Sequence, residues 1–315
     1  MSEITTPRLT DGTALPPTDS TIAIVAPGTR RQRPGRHAAG RRRTGAVLLH
    51  ITLVVAGIAM VFPFVWMLLT SLKTLPQLLQ RPLEFLPNPW SVQNYADAWN
   101  AVPFGQAYLN SAYITALVVA GTLLTASMAG YAFARIRFRG SKVLFIVFLA
   151  TQMIPAQVTL IPFYLLMSNL GWVDSHLALI VPGMIANPFA VFLMRQFVLS
   201  LPKELEEAAL VDGAGRLRIF FSIVLPNLRP GLAALAIITS LSVWNAFLFP
   251  LILLNTPDLF TVPLLLTSFQ GQHGSINYGL VMAASAIATL PMLIVFVIGQ
   301  RKILNSMAAS GLGGR

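Results

Sequence analysis

Six apolar stretches, each long enough to cross a bilayer, constrain this 315-residue chain more than any other feature. They run over 46–70, 107–134, 143–167, 177–198, 219–254 and 278–299. A membrane-spanning helix needs about 20 mostly apolar residues. The fifth stretch is long enough to hold an approach segment before its true span. Only 10% of residues are charged, well below the roughly 25% of soluble chains. The expected architecture is an all-α polytopic membrane protein with six transmembrane helices.

The formal charge of +11 would point to nucleic acid in a soluble protein. Its placement gives a different reading. The N-terminal segment carries Arg8, Arg30, Arg31, Arg33, Arg36, Arg41, Arg42 and Arg43. Arg135, Arg137, Arg139 and Lys142 fall between the second and third spans. Arg195, Lys203, Arg216, Arg218 and Arg229 surround the connection from the fourth to the fifth, and Arg301, Lys302 and Arg315 follow the sixth. Lys73 and Arg81 alone fall on the other side. By the positive-inside rule both termini lie in the cytoplasm, and the cations set topology rather than bind nucleic acid. Residues 1–45, rich in Pro, Ser, Thr and Arg, read as a disordered basic cytoplasmic tail. The six-span domain covers 46–305, and 306–315 is a C-terminal cytoplasmic tail. The paired arginines are not an export signal, because the apolar run after them is too long and lacks a small-residue cleavage site.

All eleven acidic residues lie outside the expected spans, and His50 reaches only the mouth of the first. Ion-driven carriers commonly keep a titrating or coordinating group at depth. A phosphate-binding G-x-x-x-x-G-K-[ST] loop is also missing. Active transport by this chain would therefore draw its energy from another subunit. The four histidines, His37, His50, His176 and His273, are scattered, and there is no cysteine. Neither a catalytic cluster nor a metal site is expected. Pro63, Pro155, Pro162, Pro182, Pro188, Pro250 and Pro291 lie within the spans and predict kinked helices.

One polar insert, about 199–218, interrupts the apolar pattern. Ser200 is expected to cap a short helix with Pro202 in its first turn and acids close behind. Gly213 lets the chain leave that helix near Asp212. Leu205, Ala208, Ala209 and Asp212 share one face, with Glu204 and Glu207 flanking it, which suits docking into a groove. A second helix begins near Gly215, with Pro226 and Pro230 bending it.

The string from Glu207 to Pro226, E-A-A-x3-G-x9-I-x-L-P, resembles the signature cytoplasmic loop of binding-protein-dependent ABC transporter permeases. Further segments resemble the six-span carbohydrate permeases of the maltose-transporter type. These are Phe85-Leu86-Pro87-Asn88-Pro89-Trp90 with Asn94-Tyr95, Tyr131-Ala132-Phe133-Ala134-Arg135, Met153-Ile154-Pro155, and Trp244-Asn245-Ala246-Phe247. The tail 306–315 departs from the family in lacking a lysine-containing ending.

The resemblance implies a type I ABC importer permease fold in the bacterial cytoplasmic membrane. It implies transport of a sugar or oligosaccharide by alternating access, with no chemistry and no cofactor of the chain's own. ATP would be bound by a dimer of ATP-binding subunits, and the other partners would be a second permease and an extracytoplasmic sugar-binding protein. Leu205, Glu207, Ala208, Ala209, Asp212 and Gly213 would couple to the ATPase. Ser268, Phe269, Gln270 and Gly271, in the last external loop, would meet the binding protein.

Sugars are held by aromatic faces and neutral hydrogen-bonding groups. Trp244 and Asn245 form such a pair within a span, and Gln152, Asn187 and Asn110 are further candidates for the pathway. Each could equally be an interfacial anchor or an interhelical contact. The rival reading of the whole chain is a self-contained secondary transporter or channel for a small solute.

Overall fold

The computed structural model describes the backbone of residues 36–185, 187–269 and 277–312, and the side chains of 47–185, 187–269 and 277–299. The segment 1–35 of the expected tail lies outside them. Two compact units are present, Met1–Ile58 and Ala59–Arg315. The first contributes the early turns of α1 (Arg36–Ser71). That helix begins ten residues before the expected boundary, because the Arg- and Ala-rich stretch ahead of the apolar run has high helix propensity. Its apolar part, Val47–Ser71, is 25 residues long and suffices for a span.

In the second unit, α1 ends against two short helices, α2 (Leu75–Gln80) and α3 (Gln93–Ala101). The Asn94 amide donates to the Ser71 and Lys73 carbonyls, each at 2.8 Å, and so closes the open end of α1. The Tyr95 hydroxyl lies 2.7 Å from Ser71 Oγ. Lys73 is fully buried: its ammonium donates to the Glu84 carbonyl and sits 4.9 Å from the centre of the Trp66 ring.

The central element is α4 (Phe104–Arg135), a 32-residue helix. Its buried stripe runs through Ile114, Val118, Gly121, Thr122, Ala126, Gly130 and Tyr131, mostly small residues that let neighbouring backbones come close. A Cβ on Gly130 would stand 2.8 Å from the backbone nitrogen of Arg195, and one on Gly121 2.5 Å from Met184 Cβ. The Gly130 contact is with backbone and cannot be relieved by a rotamer change. Gly130→Ala is therefore expected to force α4 away from its neighbour and to lower the unfolding temperature of the purified protein in detergent by several degrees. An unchanged melting profile would show that the two helices are not this closely packed.

The third span is broken. α5 (Ser141–Ala150), a short 3₁₀ turn and α6 (Ala156–Asn169) meet at 98° around Ile154-Pro155, where proline disfavours helix in the residue before it. The fourth is interrupted between α7 (Leu177–Met184) and α8 (Pro188–Ser200). Carbonyls freed at that break are met from α4: the Thr122 hydroxyl donates to Gly183 O (2.9 Å), and the Thr125 hydroxyl lies 2.9 Å from Met184 O. Such repair lets a membrane helix break at depth.

After the polar helix α9 (Glu204–Val211), the fifth span is assembled from pieces. α10 (Arg216–Ile219), a π-helical turn over Phe220–Val224 and α11 (Leu225–Asn227) lead at 76° into α12 (Arg229–Trp244). Pro226 and Pro230 remove two backbone donors from this stretch, as the sequence led one to expect. α13 (Leu248–Leu253) and α14 (Val262–Leu265) follow, and α15 (Tyr278–Leu312) ends the described chain. Residues 306–312, expected as a separate tail, continue that helix, in keeping with their Met and Ala content. Among the described residues, four helical segments are thus long and apolar enough to cross a membrane, or up to six if each bent pair is one span.

In the connection between α6 and α7, Asp174 clasps the exit of α13. Its carboxylate accepts hydrogen bonds from the Asn255 and Thr256 backbone (2.8 and 2.9 Å) and from the Thr256 hydroxyl (2.6 Å). The Thr256 hydroxyl first, then these backbone donors, hold the Asp174 carboxyl below the usual carboxylate range.

Candidate functional site

The polar insert begins later than its sequence suggests. Ser200 does not cap α9. It is the last residue of α8, and its hydroxyl donates to Phe197 O at 2.7 Å. Leu201 is extended ahead of Pro202, as the residue before proline prefers, and α9 starts only at Glu204. Glu204, Glu206 and Glu207 occupy the first turn, where carboxylates favour the positive end of the helix dipole.

The end of α9 follows the expectation for Gly213. Its φ of +79° is left-handed, and its N–H donates to Leu210 O at 3.1 Å. The Ala214 N–H donates to Ala209 O at 2.9 Å, completing a Schellman cap with Ala214 packed on the cluster that contains Ala209.

Which face of α9 points inward is set by Glu206. Its carboxylate is ion-paired with Arg135 at 2.6 Å, with side-chain exposures of 5% for Arg135 and 7% for Glu206. Its other oxygen accepts from the Tyr131 hydroxyl at 3.2 Å. Arg135 also donates to Val198 O (3.0 Å), which the Leu201 N–H meets as well, and to Leu201 O (2.6 Å), where α8 stops. One guanidinium therefore ties together the end of α4, the end of α8 and the start of α9. Around it Tyr131, Val198, Ala209, Ile219, Phe220, Val224 and Leu228 form a closed apolar cluster.

This geometry divides the expected coupling residues. Leu205, Glu207, Ala208 and Asp212 are exposed, as is Val211 at 88%. Ala209 is buried, so the single face expected to hold Leu205, Ala208, Ala209 and Asp212 is not what the helix presents. The inward turn of Glu206 rotates Ala209, three residues on, toward the protein. Sequence reasoning passed over Glu206 and Arg135. A usable signal was the arginine ending the Tyr131-to-Arg135 string, a cation in need of a partner at the foot of a span.

The pathway candidates also separate. Trp244 is only 6% exposed. Its indole N–H donates to Ala288 O at 3.2 Å, and its ring meets Tyr108 edge-on at 5.7 Å. It holds α12 to α4 and α15 and lines neither of the two cavities described below. Asn245 is exposed, and its amide folds back onto Leu241 O at 2.8 Å where α12 ends. The Asn110 amide donates to Asp258 O (2.8 Å) and Phe260 O (3.0 Å), which secures a loop. Phe269, expected to meet a partner, is buried and tilted against Phe104 at 6.1 Å, because it packs in the cluster that holds Trp244. Ser268 is half-buried, while Gln270 and Gly271 lie outside the described residues.

Gln152 and Asn187, by contrast, come together. Both line a half-open cavity of about 440 Å³ bounded by α4, α8 and α12. Thr122, Thr239 and Ser242 add hydroxyls, and its lining contains no charged residue. Asn187 also caps α8, its side-chain oxygen accepting from Ala190 N at 2.8 Å. A second cavity of about 350 Å³ shares Val118, Gly183, Ser242 and Val243 with the first and adds Phe163, Phe249 and Thr261. The sequence signal for the missed hydroxyls was Thr239 and Ser242, one helical turn apart on a span.

Residues 121–308 match the family model for the binding-protein-dependent transport system inner membrane component. The diacetylchitobiose uptake system permease protein NgcG of Streptomyces coelicolor is 33% identical over 87% of this chain and 91% of its own length. The arabinooligosaccharides transport system permease protein AraQ of Halalkalibacterium halodurans is 34% identical over 87% of this chain and all of its own. Among solved structures, a chain of a bacterial ABC transporter involved in import of the acidic polysaccharide alginate aligns over 85% of this chain and 98% of its own. The TM-score is 0.76 at 22% identity, so that likeness concerns the fold.

Proposed function

The chain belongs to the family of binding-protein-dependent transport system inner membrane components, and from that membership we propose that it carries a neutral sugar or oligosaccharide inward as one permease of an ABC importer. It is a transport subunit of type I permease fold, not an enzyme. The rival of a self-contained carrier falls with the family assignment.

The observation that carries the coupling reading is α9. Its inner side is fixed by the Arg135–Glu206–Tyr131 contacts, while Leu205, Glu207, Ala208 and Val211 stand exposed on its outer side. Apolar residues kept exposed on a short polar helix suit burial against a partner. We assign that partner as an ATP-binding subunit, with Leu205, Glu207, Ala208 and Asp212 as the contact and Gly213 and Ala209 shaping the helix behind it. Closure of the ATPase dimer would then move α9 together with the ends of α4 and α8, and the broken spans would accommodate the change between inward and outward access.

The sugar reading is supported by the relatives' transport of diacetylchitobiose and arabinooligosaccharides and by the uncharged cavity at Gln152, Asn187, Thr239 and Ser242. Neutral amides and hydroxyls match a hydroxyl-rich solute. A second permease would complete the pathway, and an extracytoplasmic binding protein would deliver the solute near Ser268, Gln270 and Gly271. Both termini are assigned to the cytoplasm.

The test is affinity purification of the tagged chain from its native membrane in mild detergent, with mass spectrometry of what is retained. An ATP-binding subunit and a second permease should be recovered in stoichiometric amounts. Glu207→Lys should insert normally and lose most of the captured ATPase, because it reverses a charge on the exposed side of α9 without touching the Glu206 contacts. Full ATPase recovery with Glu207→Lys would remove that residue from the interface.

A further inference from the structure

A basic cavity of about 630 Å³ opens beside α9; it shares Glu207 with the coupling contact and no residue with the solute pathway. Arg135, Arg137, Lys142, Arg195, Lys203 and Arg216 line it. Only Glu206 and Glu207 oppose these six cations, and Glu206 is already engaged by Arg135. Arg195 is held in place: its Nε donates to Phe133 O at 3.3 Å, and its guanidinium lies 4.7 Å from the centre of the Phe145 ring. Arg137, Lys142 and Lys203 have no hydrogen-bond or ion-pair partner among the side chains of the described residues, and all three are exposed. Cations converging this closely repel one another unless an anion enters among them.

The lining is also apolar on one side, through Phe133, Ile136 and Phe138. Immediately beyond, Val143 (65% exposed) and Leu144 (53%) open the first turn of α5 outward. A soluble anion would gain nothing from that surface, whereas a phospholipid would place its phosphate among the cations and its acyl chains along α5. Basic pockets between helices on the cytoplasmic side of a membrane suit such headgroups.

We propose that this cavity binds the phosphodiester headgroup of an anionic phospholipid, held by Arg137 from the 136–140 connection, by Lys142 in the first turn of α5 and by Lys203 at the start of α9. The bound lipid bridges that connection to the coupling helix, so lipid charge bears on how firmly α9 is held. The inference rests on the reading that this end of the bundle meets the cytoplasmic leaflet.

The experiment is native mass spectrometry of the chain alone and of the assembled complex, each released from vesicles of mixed phosphatidylglycerol and phosphatidylcholine. Wild type should retain phosphatidylglycerol selectively in both forms. Arg137→Gln with Lys142→Gln should weaken that retention about 30-fold, the product of two cations near a membrane surface. Arg218→Gln with Arg229→Gln, two exposed cations outside the cavity lining, should leave it within about twofold. Equal loss in both pairs would reduce the effect to diffuse surface charge and overturn the site. Displacement by inorganic phosphate without preference for phosphatidylglycerol would make it a soluble-anion site and overturn the lipid assignment. Retention by the chain alone but not by the complex would mean that the ATPase fills the cavity, with the same consequence. Absence of any captured ATPase from the wild-type preparation, with phosphatidylglycerol retention intact, would count against the coupling reading and leave this one standing.

Discussion

Glu206→Ala is expected to release α9 from the ends of α4 and α8 and to destabilise the folded protein by about 3–5 kcal/mol, the range for removing one partner of a buried ion pair. The cost falls mainly on Arg135. Its guanidinium, with a side chain 5% exposed, would keep its two carbonyl acceptors but lose its counter-charge. The Tyr131 hydroxyl would lose its acceptor at the same time. The expected readout is a sharp fall in detergent unfolding temperature, together with rapid proteolysis between α8 and α10. Glu204→Ala, on an exposed residue of the same turn, should change neither by more than the few tenths of a kcal/mol typical of surface charges. A double replacement, Arg135→Met with Glu206→Leu, should cost less than Glu206→Ala alone, because no unpaired charge remains inside. If Glu206→Ala and Glu204→Ala behave alike, the latch does not hold α9.

Helix α9 shows what the chain reveals in one dimension and what it withholds. Gly213 was legible because a left-handed residue after a run of good helix formers is a local property, decided within a few residues. The breaks near Pro155 and Pro188 were legible for the same reason. The facing of α9 was not. Glu204, Glu206 and Glu207 are equivalent on propensity, and only Arg135, seventy-one residues earlier, selects Glu206 for burial. The misplaced start has a similar origin. Ser200 is a sound cap by residue type, yet α8 continues through it because Val198 packs inward and its end is closed by Arg135. In the membrane, polar residues carried little directional information. Asn110, Asn187, Gln152 and Asn245 looked alike, and whether each met a carbonyl or a cavity depended on helices elsewhere in the chain.

Trp244→Ala and a pair of cavity replacements should separate packing from passage. Removing the indole deletes the edge contact with Tyr108 and the hydrogen bond to Ala288 O, and it opens a gap where α12, α4 and α15 meet. Tryptophan truncation in protein cores costs about 3–5 kcal/mol, and the dispersion part of that loss persists in a membrane, where helix association depends on packing. The expected result is a large drop in folded protein recovered and in its unfolding temperature, with uptake per folded transporter within about twofold of wild type. Trp244→Phe should recover most of the loss, since the ring is retained and only the N–H is missing. Gln152→Ala combined with Asn187→Ser should do the reverse. Serine keeps an oxygen to cap α8, so recovery should hold, while the solute loses amide partners in the cavity. One lost hydrogen bond to a bound solute is worth about 1.4 kcal/mol, a factor of ten, and sugar uptake should fall by about tenfold or more. Normal recovery with poor uptake in Trp244→Ala would return the indole to the pathway, and unaffected uptake in the double variant would remove the cavity from it. The two outcomes are independent because Trp244 does not line either cavity.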